Sequence, residues 1–481
     1  MKSINIIILL SFSLYIISQT STPISFTNPG TGYSISGNTV TITSDGTYEL
    51  TGSETNKQII VSSSSKIYLN SFSLINNNNL TPIIINSNKN VELILKGEST
   101  LQDSSTNSNN SIIYLQSSSS LIISGTGTLN LNPNKQMALY GQTSSSFIGN
   151  DGANIKISSN LQNIWGIYSL GKINFNNLIF IYSCPNGRYH SLYSQEEIRI
   201  IKGIYNITSG RGKGIMTTGD IYLGEENSLN DADLVINIET LEDGIESMKL
   251  VINSGIININ SGEEGINIDS ENNLCDDDIK CSGNCACSLV MKKGNLTLIS
   301  KEDGLNVNGD ITFSGGNIII FSSGNLDAKP IEQDGLFQIN GGNIIAAGIS
   351  RTLGLYATTT QVAKVYSGTI NSGQRLEIFG KNNNNKLIGL NIPRNVNNIY
   401  FNFPEDFIVK INNVEITTSN ANNNTNNNGG RRYDDDDDDW DDDDLDDDDW
   451  DDDDDFVNYK SGSYLKLLNM GLLLYIMALM L

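Results

Sequence analysis

Basic residues are scarce in this chain. Lys and Arg number 30 against 54 Asp and Glu in 481 residues, and the formal net charge at pH 7 is −24. No basic patch is present to release the counterions of a nucleic acid, which argues against that class of partner. Nineteen of the acids lie between Asp434 and Asp455, and removing those 19 charges from −24 leaves −5. The rest of the chain therefore predicts an ordinary, mildly acidic surface.

Helical periodicity is almost absent between Thr22 and Ala347. Short runs such as TVTIT, SLIISGTGTLNLN and NLTLIS instead alternate apolar and polar residues and are rich in Ile, Val and Thr. Gly, Asn and Ser separate them, as turn residues do. The pattern predicts one long all-β domain, large enough to bury a sizeable core.

A Gly-Ile pair recurs through this domain at a spacing just above twenty residues. The aligned copies begin at Gly166, Gly214, Gly244, Gly265, Gly304 and Asn325, with a degenerate copy at Ser191. This repeat predicts a β-solenoid over residues 22–347, because a propeller blade needs about forty residues and sandwich strands would not keep one phase. Each Ile is expected to point inward and the next residue outward. The Gly is expected to supply a turn conformation that residues with a β-carbon avoid.

Acidic residues collect immediately before the Gly of three aligned copies. They are Glu242, Asp243, Glu263, Glu264, Glu302 and Asp303. Adjacent turns lie ~4.8 Å apart, so these charges would crowd together, and each pair ~5 Å apart would cost on the order of 3 kcal/mol. Ca²⁺ binds roughly six to eight oxygens in irregular geometry. We therefore predict a ladder of calcium ligands, to which Glu246, Asp269 and Asp327 would contribute; the alternative is solvated turn acids that need no metal.

Aromatic residues and then cations lie in the coils that precede the acids. The aromatic members are Trp165, Tyr168, Tyr182, Tyr189, His190 and Tyr193. Arg211 and Lys213 follow them. Aromatic faces stack on sugar rings and cations bind carboxylates, so Trp165, Tyr168, Tyr193, Arg211 and Lys213 are candidate carbohydrate-binding residues. The alternative is that these aromatics belong to the core.

The repeat phase is lost after Ala347. Residues 348–416 contain runs such as QRLEIFGK and NNIYFNF, which predict a small antiparallel β subdomain over the open end of the solenoid. Residues 417–460 combine an Asn-rich linker with the Asp run. That composition cannot bury enough apolar surface to fold and predicts a solvated, disordered stalk. Capture of Ca²⁺ or of a basic partner is the alternative for the stalk.

Both ends of the chain have the patterns of targeting signals. Residues 1–20 hold one Lys, an apolar run and small polar residues, typical of a secretory signal peptide rather than an uncleaved anchor. Residues 461–481 begin with small residues and end in an apolar stretch shorter than the ~20 residues of a membrane span. They predict a GPI-attachment signal with Ser461 as the attachment site; the alternative is a tail-anchored helix. The expected location is the outer face of the plasma membrane or the cell wall, and glycosylation sequons at Asn79, Asn109, Asn206, Asn295 and Asn423 agree with this route.

Cysteine is also rare, with five residues in all. Four of them, Cys275, Cys281, Cys285 and Cys287, lie in an insertion over residues 271–289. In an oxidising compartment they predict two local disulfides, with three possible connectivities. Their spacing matches no common zinc pattern, and Cys184 is left buried or unpaired.

The acid-bearing repeats resemble those of a known family. The segments EDGIESMKLVINSGIININSGEEGINIDS and KEDGLNVNGDITFSGGNIIIFSSGNLDA, followed by LFQINGGNIIAAG, are similar to repeats of carbohydrate-binding right-handed parallel β-helices related in structure to polysaccharide lyases. The resemblance covers residues 35–415 and is strongest over residues 210–348. It implies a right-handed parallel β-helix that binds Ca²⁺ through Asp-Asp-Gly-Ile-type turns and binds cellulose and pectin-type acidic polymers. The copy at Asn325 departs from that motif because it lacks the acid pair and the Gly.

These patterns favour a non-catalytic protein that binds a polysaccharide with the help of Ca²⁺. The expected ligands are acidic polymers such as polygalacturonate, or cellulose. One alternative is a calcium-dependent polysaccharide lyase with Lys213 or Arg211 as general base, although the simplest role of Lys213 is an ion pair with the acids. Glycoside hydrolysis needs two opposed carboxylates, which the ladder does not single out. A surface adhesin or structural protein is the remaining alternative.

Overall fold

The computed structural model describes residues 21–28, 30–103, 111–134, 137–269, 287–324, 327–349 and 357–421. These residues belong to one compact unit and form β-strands, with one 3₁₀ turn at Asp231–Asp233. The predicted all-β class is confirmed. Within the described ranges there is no helix long and apolar enough to span a membrane. The predicted signal peptide, the disulfide partners Cys275, Cys281 and Cys285, the Asp run and Ser461 lie outside the described residues.

One side of the solenoid, which we call face 1, is a sheet of 13 short strands. Its first two strands form an antiparallel hairpin, and the later ones pair in parallel, one per turn. The strands are Tyr33–Ser36, Thr39–Ile42, Gln58–Val61, Ile83–Ile85, Ser111–Leu115, Met137–Gly141, Trp165–Ser169, Leu192–Ser194, Ile215–Thr217, Ile245–Ser247, Ile266–Ile268, Leu305–Val307 and Ile331–Gln333.

Two further columns of parallel strands complete each turn. Face 2 consists of Asn90–Lys96, Ser120–Gly125, Ser146–Gly149, Lys172–Phe175, Glu197–Ile200, Asp220–Leu223, Lys249–Ile252 and Ser288–Met291. Face 3 consists of Glu98–Asp103, Thr128–Pro133, Ala153–Ser158, Leu178–Cys184, Gly203–Ser209, Leu234–Glu239, Ile256–Asn260 and Asn295–Ser300. Long strands at both ends of the solenoid cross from face 2 to face 3 and join them into one 25-stranded sheet. They are Gly46–Thr55, Ser65–Asn76, Asp310–Ser322 and Phe337–Gly348, with Thr22–Pro23 pairing at the start.

Each strand of face 1 directs an apolar residue into the solenoid, and these residues stack from turn to turn. The paired column contains Ile167, Leu192, Ile215, Ile245, Ile266, Leu305 and Ile331, each 0% exposed. The predicted inward stacking of the Gly-Ile copies is confirmed, including the degenerate copy at Ser191. Burying one such side chain contributes about 1.5–3 kcal/mol to stability.

The glycine before each inward residue is required by close packing between turns. A Cβ built on Gly244 would lie 2.2 Å from Cγ2 of Ile259 and 2.6 Å from the carbonyl oxygen of Gly265. Gly244 is not among the glycines with positive φ. The expected role in a turn conformation is therefore wrong, because it is the neighbouring turn that excludes a side chain here.

The predicted last copy of the repeat, at Asn325, is wrong. Leu305 pairs with Ile331, not with Leu326. The corner before Ile331 is longer than in earlier turns, and the carbonyl of Pro330 accepts the hydrogen bond from the Leu305 N–H at 3.1 Å. The residues that directly follow the inward ones form an outward column of Met216, Glu246, Asn267 and Asn306, and Glu332, rather than Asp327, continues it.

The chain becomes antiparallel after Phe337–Gly348. Val396–Phe403 pairs with that strand and with Val362–Ile370, so these strands extend the large sheet. Two short strands, Thr358–Thr359 and Ser419–Asn420, join its edge. A separate antiparallel sheet contains Arg375–Gly380, Lys386–Asn391, Phe407–Ile411 and Val414–Ile416. A second apolar core packs these strands against the last turns of the solenoid, and the predicted C-terminal antiparallel subdomain is confirmed.

The inward column provides a direct test of the fold. Replacing buried Ile266 by Ala should lower the free energy of unfolding by about 2–5 kcal/mol, because it leaves a cavity between two turns. The adjacent outward residue is the control, since Asn267→Ala should change it by less than about 0.5 kcal/mol. Urea denaturation of the two variants measures both values, and equal losses would contradict the assigned inward and outward faces.

Candidate functional site

The acids form a column at the corner where each turn enters face 1. The backbone hydrogen bonds fix its order, because the N–H of Gly214 donates to the carbonyl of Asp243, Gly244 to Glu264, and Gly265 to Asp303, at 3.1, 3.1 and 2.9 Å. In chain order the column contains Trp165, His190, Lys213, Asp243, Glu264, Asp303 and Lys329. The order expected for the first six members is the order found, and Lys329 is an addition caused by the longer last corner.

Three carboxylates come closest together in and directly beside this column. One oxygen each of Asp243, Glu263 and Glu264 lies within 4.8 Å of the others. Asp243 is only 2% exposed, and the two glutamates are half-buried. The N–H of Glu264 donates to Oδ1 of Asp243 at 3.2 Å. Burial leaves little water to screen the mutual repulsion of these groups.

The same crowding raises the pKa of these acids. Burial, then the hydrogen bond and charge of Asp243, raise the pKa of Glu264 to about 8. Burial and the charges of Glu242, Asp243 and Glu302 raise the pKa of Glu263 to about 7. One turn further on, burial and a hydrogen bond to Glu332 raise the pKa of Asp303 to about 7. In the metal-free protein these corner acids therefore retain protons near neutral pH.

A lysine lies at each end of this group of acids and contacts a carboxylate there. Lys213 places its Nζ 3.1 Å from Oδ2 of Asp243 and also contacts the carboxylate of Glu246. At the other end Lys329 contacts Glu332, and its N–H donates to Oδ1 of Asp303 at 2.6 Å. Among the described residues, no Lys or Arg forms an ion pair with Glu263 or Glu264, which lie between the two lysines.

Not every predicted ligand lies in this group. Asp269 follows the strand Ile266–Ile268, at the opposite end of face 1 from the acids, and accepts a hydrogen bond from Asn308 at 3.2 Å. Asp327 lies in the long corner before Pro330, outside the outward column. Glu332 belongs to the site but was missed by the sequence alignment. The available signal was its Ile-Glu dipeptide, which repeats Ile245-Glu246.

The aromatic residues stack mainly on each other. Ring centroids are 4.7 Å apart at 16° for Tyr168 and Tyr193, and 4.8 Å apart at 9° for Trp165 and Tyr189. Tyr114 and Tyr140, which were not among the predicted residues, continue this strip at 5.3 Å and 8°. Because these rings face one another along the solenoid, most of the strip shows ring edges rather than faces to a ligand. Tyr114 and Tyr140 directly follow the inward residues Ile113 and Leu139. This repeated position was the signal available in the sequence.

Two aromatic members have structural roles. Tyr182 is 1% exposed and donates its hydroxyl hydrogen bond to the carbonyl of Ile164 at 2.8 Å, so it belongs to the core. His190 accepts a hydrogen bond at Nδ1 from the N–H of Lys213 at 3.0 Å. Burial and the charge of Lys213 lower the pKa of His190 to about 4. At neutral pH this histidine is an uncharged acceptor that orders the corner.

The two predicted basic residues differ in their surroundings. Lys213 is occupied by two carboxylates, as described above, which leaves its ammonium group committed to the acidic column. Arg211 is exposed, and its backbone N–H donates to the carbonyl of Gly187 at 2.6 Å. Its guanidinium forms no ion pair with another described residue. Arg211 therefore fits a ligand-binding role better than Lys213 does.

The two described cysteines differ, because one is disulfide-bonded and the other is a free thiol. Cys287 is disulfide-bonded, and the other three cysteines of the insertion lie outside the described residues. Cys184 is a free, buried cysteine, and burial raises the pKa of its thiol to about 11. It is therefore an inert core residue at neutral pH.

A known protein family matches most of the solenoid. The family described as carbohydrate-binding domain-containing protein matches residues 36–166 and, a second time, residues 166–335. The two matches together span more than half of the 481-residue chain. The chain belongs to this family. Comparisons with curated proteins and with solved structures give no match.

The boundary between the two family matches lies in the aromatic strip of the solenoid. They meet at Gly166, directly after Trp165, so the second match begins in the aromatic strip and contains all of the acidic column. Membership in the family indicates polysaccharide binding. The resemblance inferred from the repeats is confirmed for the carbohydrate-binding family and for the parallel β-solenoid.

The raised pKa of Glu264 predicts how the metal-free protein responds to pH. Its folded-state pKa of about 8 exceeds the ordinary value of 4.5, so the folded chain holds a proton that the unfolded chain has released between these values. Stability should therefore fall as pH rises from 5 to 8.5. Thermal unfolding in EDTA should show a smaller decrease in Tm for Glu264→Gln than for the unaltered protein.

Glu239 provides the control for this measurement. It lies in the same turn as Asp243 but is exposed on face 3, so Glu239→Gln should keep the full pH dependence. An identical decrease in all three proteins would contradict the assignment to Glu264.

Proposed function

We propose that this carbohydrate-binding domain binds polysaccharide with the help of Ca²⁺ at the corner formed by Asp243, Glu263 and Glu264. The observation that supports the proposal is the convergence of three carboxylates within 4.8 Å in a half-buried corner. Two of them have no cationic partner among the described residues. Acids that were only solvated turn residues would have no reason to be buried together.

The donor set fits Ca²⁺ on chemical grounds. Ca²⁺ binds oxygen ligands at about 2.3–2.6 Å, so oxygens on opposite sides of one ion lie about 4.8 Å apart; the three oxygens of this triad lie within that distance of one another. Glu242 and Glu302 lie near enough for their charges to raise the pKa of Glu263. Both carboxylates would supply further oxygens to the ion. A bound dication would offset the repulsion between these carboxylates and would accept carboxylate or hydroxyl oxygens of a sugar.

The number of ions is limited by the two lysines. Lys213 already pairs with Asp243 and Glu246 at one end of the acids, and Lys329 pairs with Glu332 at the other. The uncompensated charge is thus concentrated in the middle, around Glu263 and Glu264. This distribution favours one central Ca²⁺ over a continuous ladder of ions.

Non-catalytic binding is the function that this geometry supports best. A lyase would need a base that is available to the substrate, and the ammonium of Lys213 lies between two carboxylates. Acidic polymers such as polygalacturonate suit the site more closely than cellulose does, because their own carboxylates are good Ca²⁺ ligands. No observation favours the adhesin or structural alternative.

Calorimetric titration of oligogalacturonide into the protein tests this function. Binding should be present with Ca²⁺ and absent in EDTA. Glu264→Gln should weaken it by at least tenfold, which corresponds to about 1.4 kcal/mol, because the variant loses a charged ligand of the ion. Glu239→Gln, on the other side of the same turn, should bind normally. Equal binding in Ca²⁺ and in EDTA would contradict a role for the metal.

Display at the cell surface is a separate part of the proposal and rests on the two terminal signals. In the native cell, phosphatidylinositol-specific phospholipase C should release the protein from membranes, because the enzyme cleaves a GPI anchor. Replacement of the small residue Ser461 by a bulky residue should reduce the amount that is anchored. Retention after phospholipase treatment, with extraction only by detergent, would support a tail anchor instead.

A further inference from the structure

Tyr189 is the most exposed residue of the aromatic strip, and Trp165 is its one aromatic partner among the described residues. It is 36% exposed and is the one aromatic side chain in the described part of the chain among the large exposed apolar residues. Trp165, from the preceding turn, covers one face of its ring at 4.8 Å and 9°. In the following turn, the position equivalent to Tyr189 is Gly212.

Gly212 places no side chain in the turn that follows Tyr189. A Cβ at Gly212 would lie 2.0 Å from the carbonyl oxygen of Tyr189, so the position cannot carry a side chain. The next member of the same column is Glu242, at the beginning of the acidic corner. At ~4.8 Å per turn, Tyr189 and Glu242 are separated by about 10 Å, which accommodates one pyranose ring stacked on the tyrosine.

Two arginines beside Tyr189 have free guanidinium groups. Arg188 and Arg211 are exposed, and neither forms a side-chain hydrogen bond or ion pair with another described residue. The other arginines in the described ranges are engaged: Arg199 with Glu197, Arg375 with Glu377, and Arg394 with backbone and side-chain oxygens. The backbone N–H of Arg211 donates to the carbonyl of Gly187, next to Arg188, which brings the two arginines together in neighbouring turns.

We infer that Tyr189, Arg188 and Arg211 form a subsite for one uronate residue of an acidic polysaccharide. The inference rests on the proposed polysaccharide binding and identifies residues that determine its specificity. The tyrosine face stacks on the pyranose ring, and a guanidinium pairs with the carboxylate. The chain of sugars then continues along the corner toward Asp243, Glu263 and Glu264. A neutral glucan gains the stacking contact but not the ion pair.

Binding of two matched probes tests the subsite in the full-length protein with Ca²⁺ present. Tyr189→Ala should weaken oligogalacturonide binding about tenfold, the size of one stacking contact. The double substitution Arg188→Gln, Arg211→Gln should weaken oligogalacturonide by about tenfold or more and leave the affinity for a cello-oligosaccharide unchanged. The calcium affinity of each variant, measured with the metal alone, should equal that of the unaltered protein.

A second tyrosine–arginine pair provides the control. Arg199 lies 4.4 Å above the ring of Tyr222 on face 2, so Tyr222→Ala and Arg199→Gln remove similar groups far from the corner and should not change binding. Calcium-dependent binding that is equal in all variants would overturn the subsite and leave the proposed function intact. Loss of calcium binding in Tyr189→Ala would also overturn it, since the residue would then be structural. No binding of oligogalacturonide by the unaltered protein would refute both.

Fluorescence reports on the subsite directly. Trp165 is one of only three tryptophans, and the other two, Trp440 and Trp450, lie in the Asp run. In a full-length Trp440→Phe, Trp450→Phe protein, oligogalacturonide should shift the emission of Trp165, because the ligand would complete a stack that already contains Tyr189. Adding Tyr189→Ala should abolish the shift. A shift that persists without Tyr189 would place the ligand elsewhere and overturn the inference.

Discussion

Repulsion between stacked carboxylates is the constraint on which the site depends. Parallel pairing repeats each position of the turn every ~4.8 Å, so an acid at one phase of the repeat meets an acid from the next turn. Asp243, Glu263 and Glu264 meet in this way in a half-buried corner. The chain reduces the cost at both ends with Lys213 and Lys329, and by retaining protons on the remaining acids. Only a cation from outside can compensate the central charges while they stay ionised.

The close packing of turns makes this concentration of charge possible. Gly214, Gly244 and Gly265 have no β-carbon, which allows the backbone of one turn to approach the next and keeps the corner in register. The inward column of Ile and Leu buries enough apolar surface to stabilise this arrangement. A continuous core therefore provides the energy, and the glycines determine the geometry, for a site that would be unstable in a flexible loop.

Much of the fold followed from the repeat, and part of the site did not. The Gly-Ile phase predicted the solenoid, the inward column and the order from Trp165 to Asp303, because register in a parallel sheet is fixed by side-chain alternation. It failed at Asn325, where a longer corner shifted the register and concealed Glu332 and Lys329. It also could not show which ring faces are covered. The mutual stacking of Trp165 and Tyr189 depends on side-chain orientation, which periodicity alone does not determine.

The central claim is that the folded corner binds Ca²⁺, and the effect of Ca²⁺ on Tm tests it most directly. Any Ca²⁺ bound by the Asp run would bind the folded and the unfolded chain equally, because the composition of the run predicts no folded structure. At a free Ca²⁺ concentration 100 times Kd, the account predicts stabilisation of the unaltered protein by about 2.7 kcal/mol. It predicts little or none for the full-length Glu263→Gln, Glu264→Gln variant. The same increase in Tm in both proteins, or no increase in either, would contradict it.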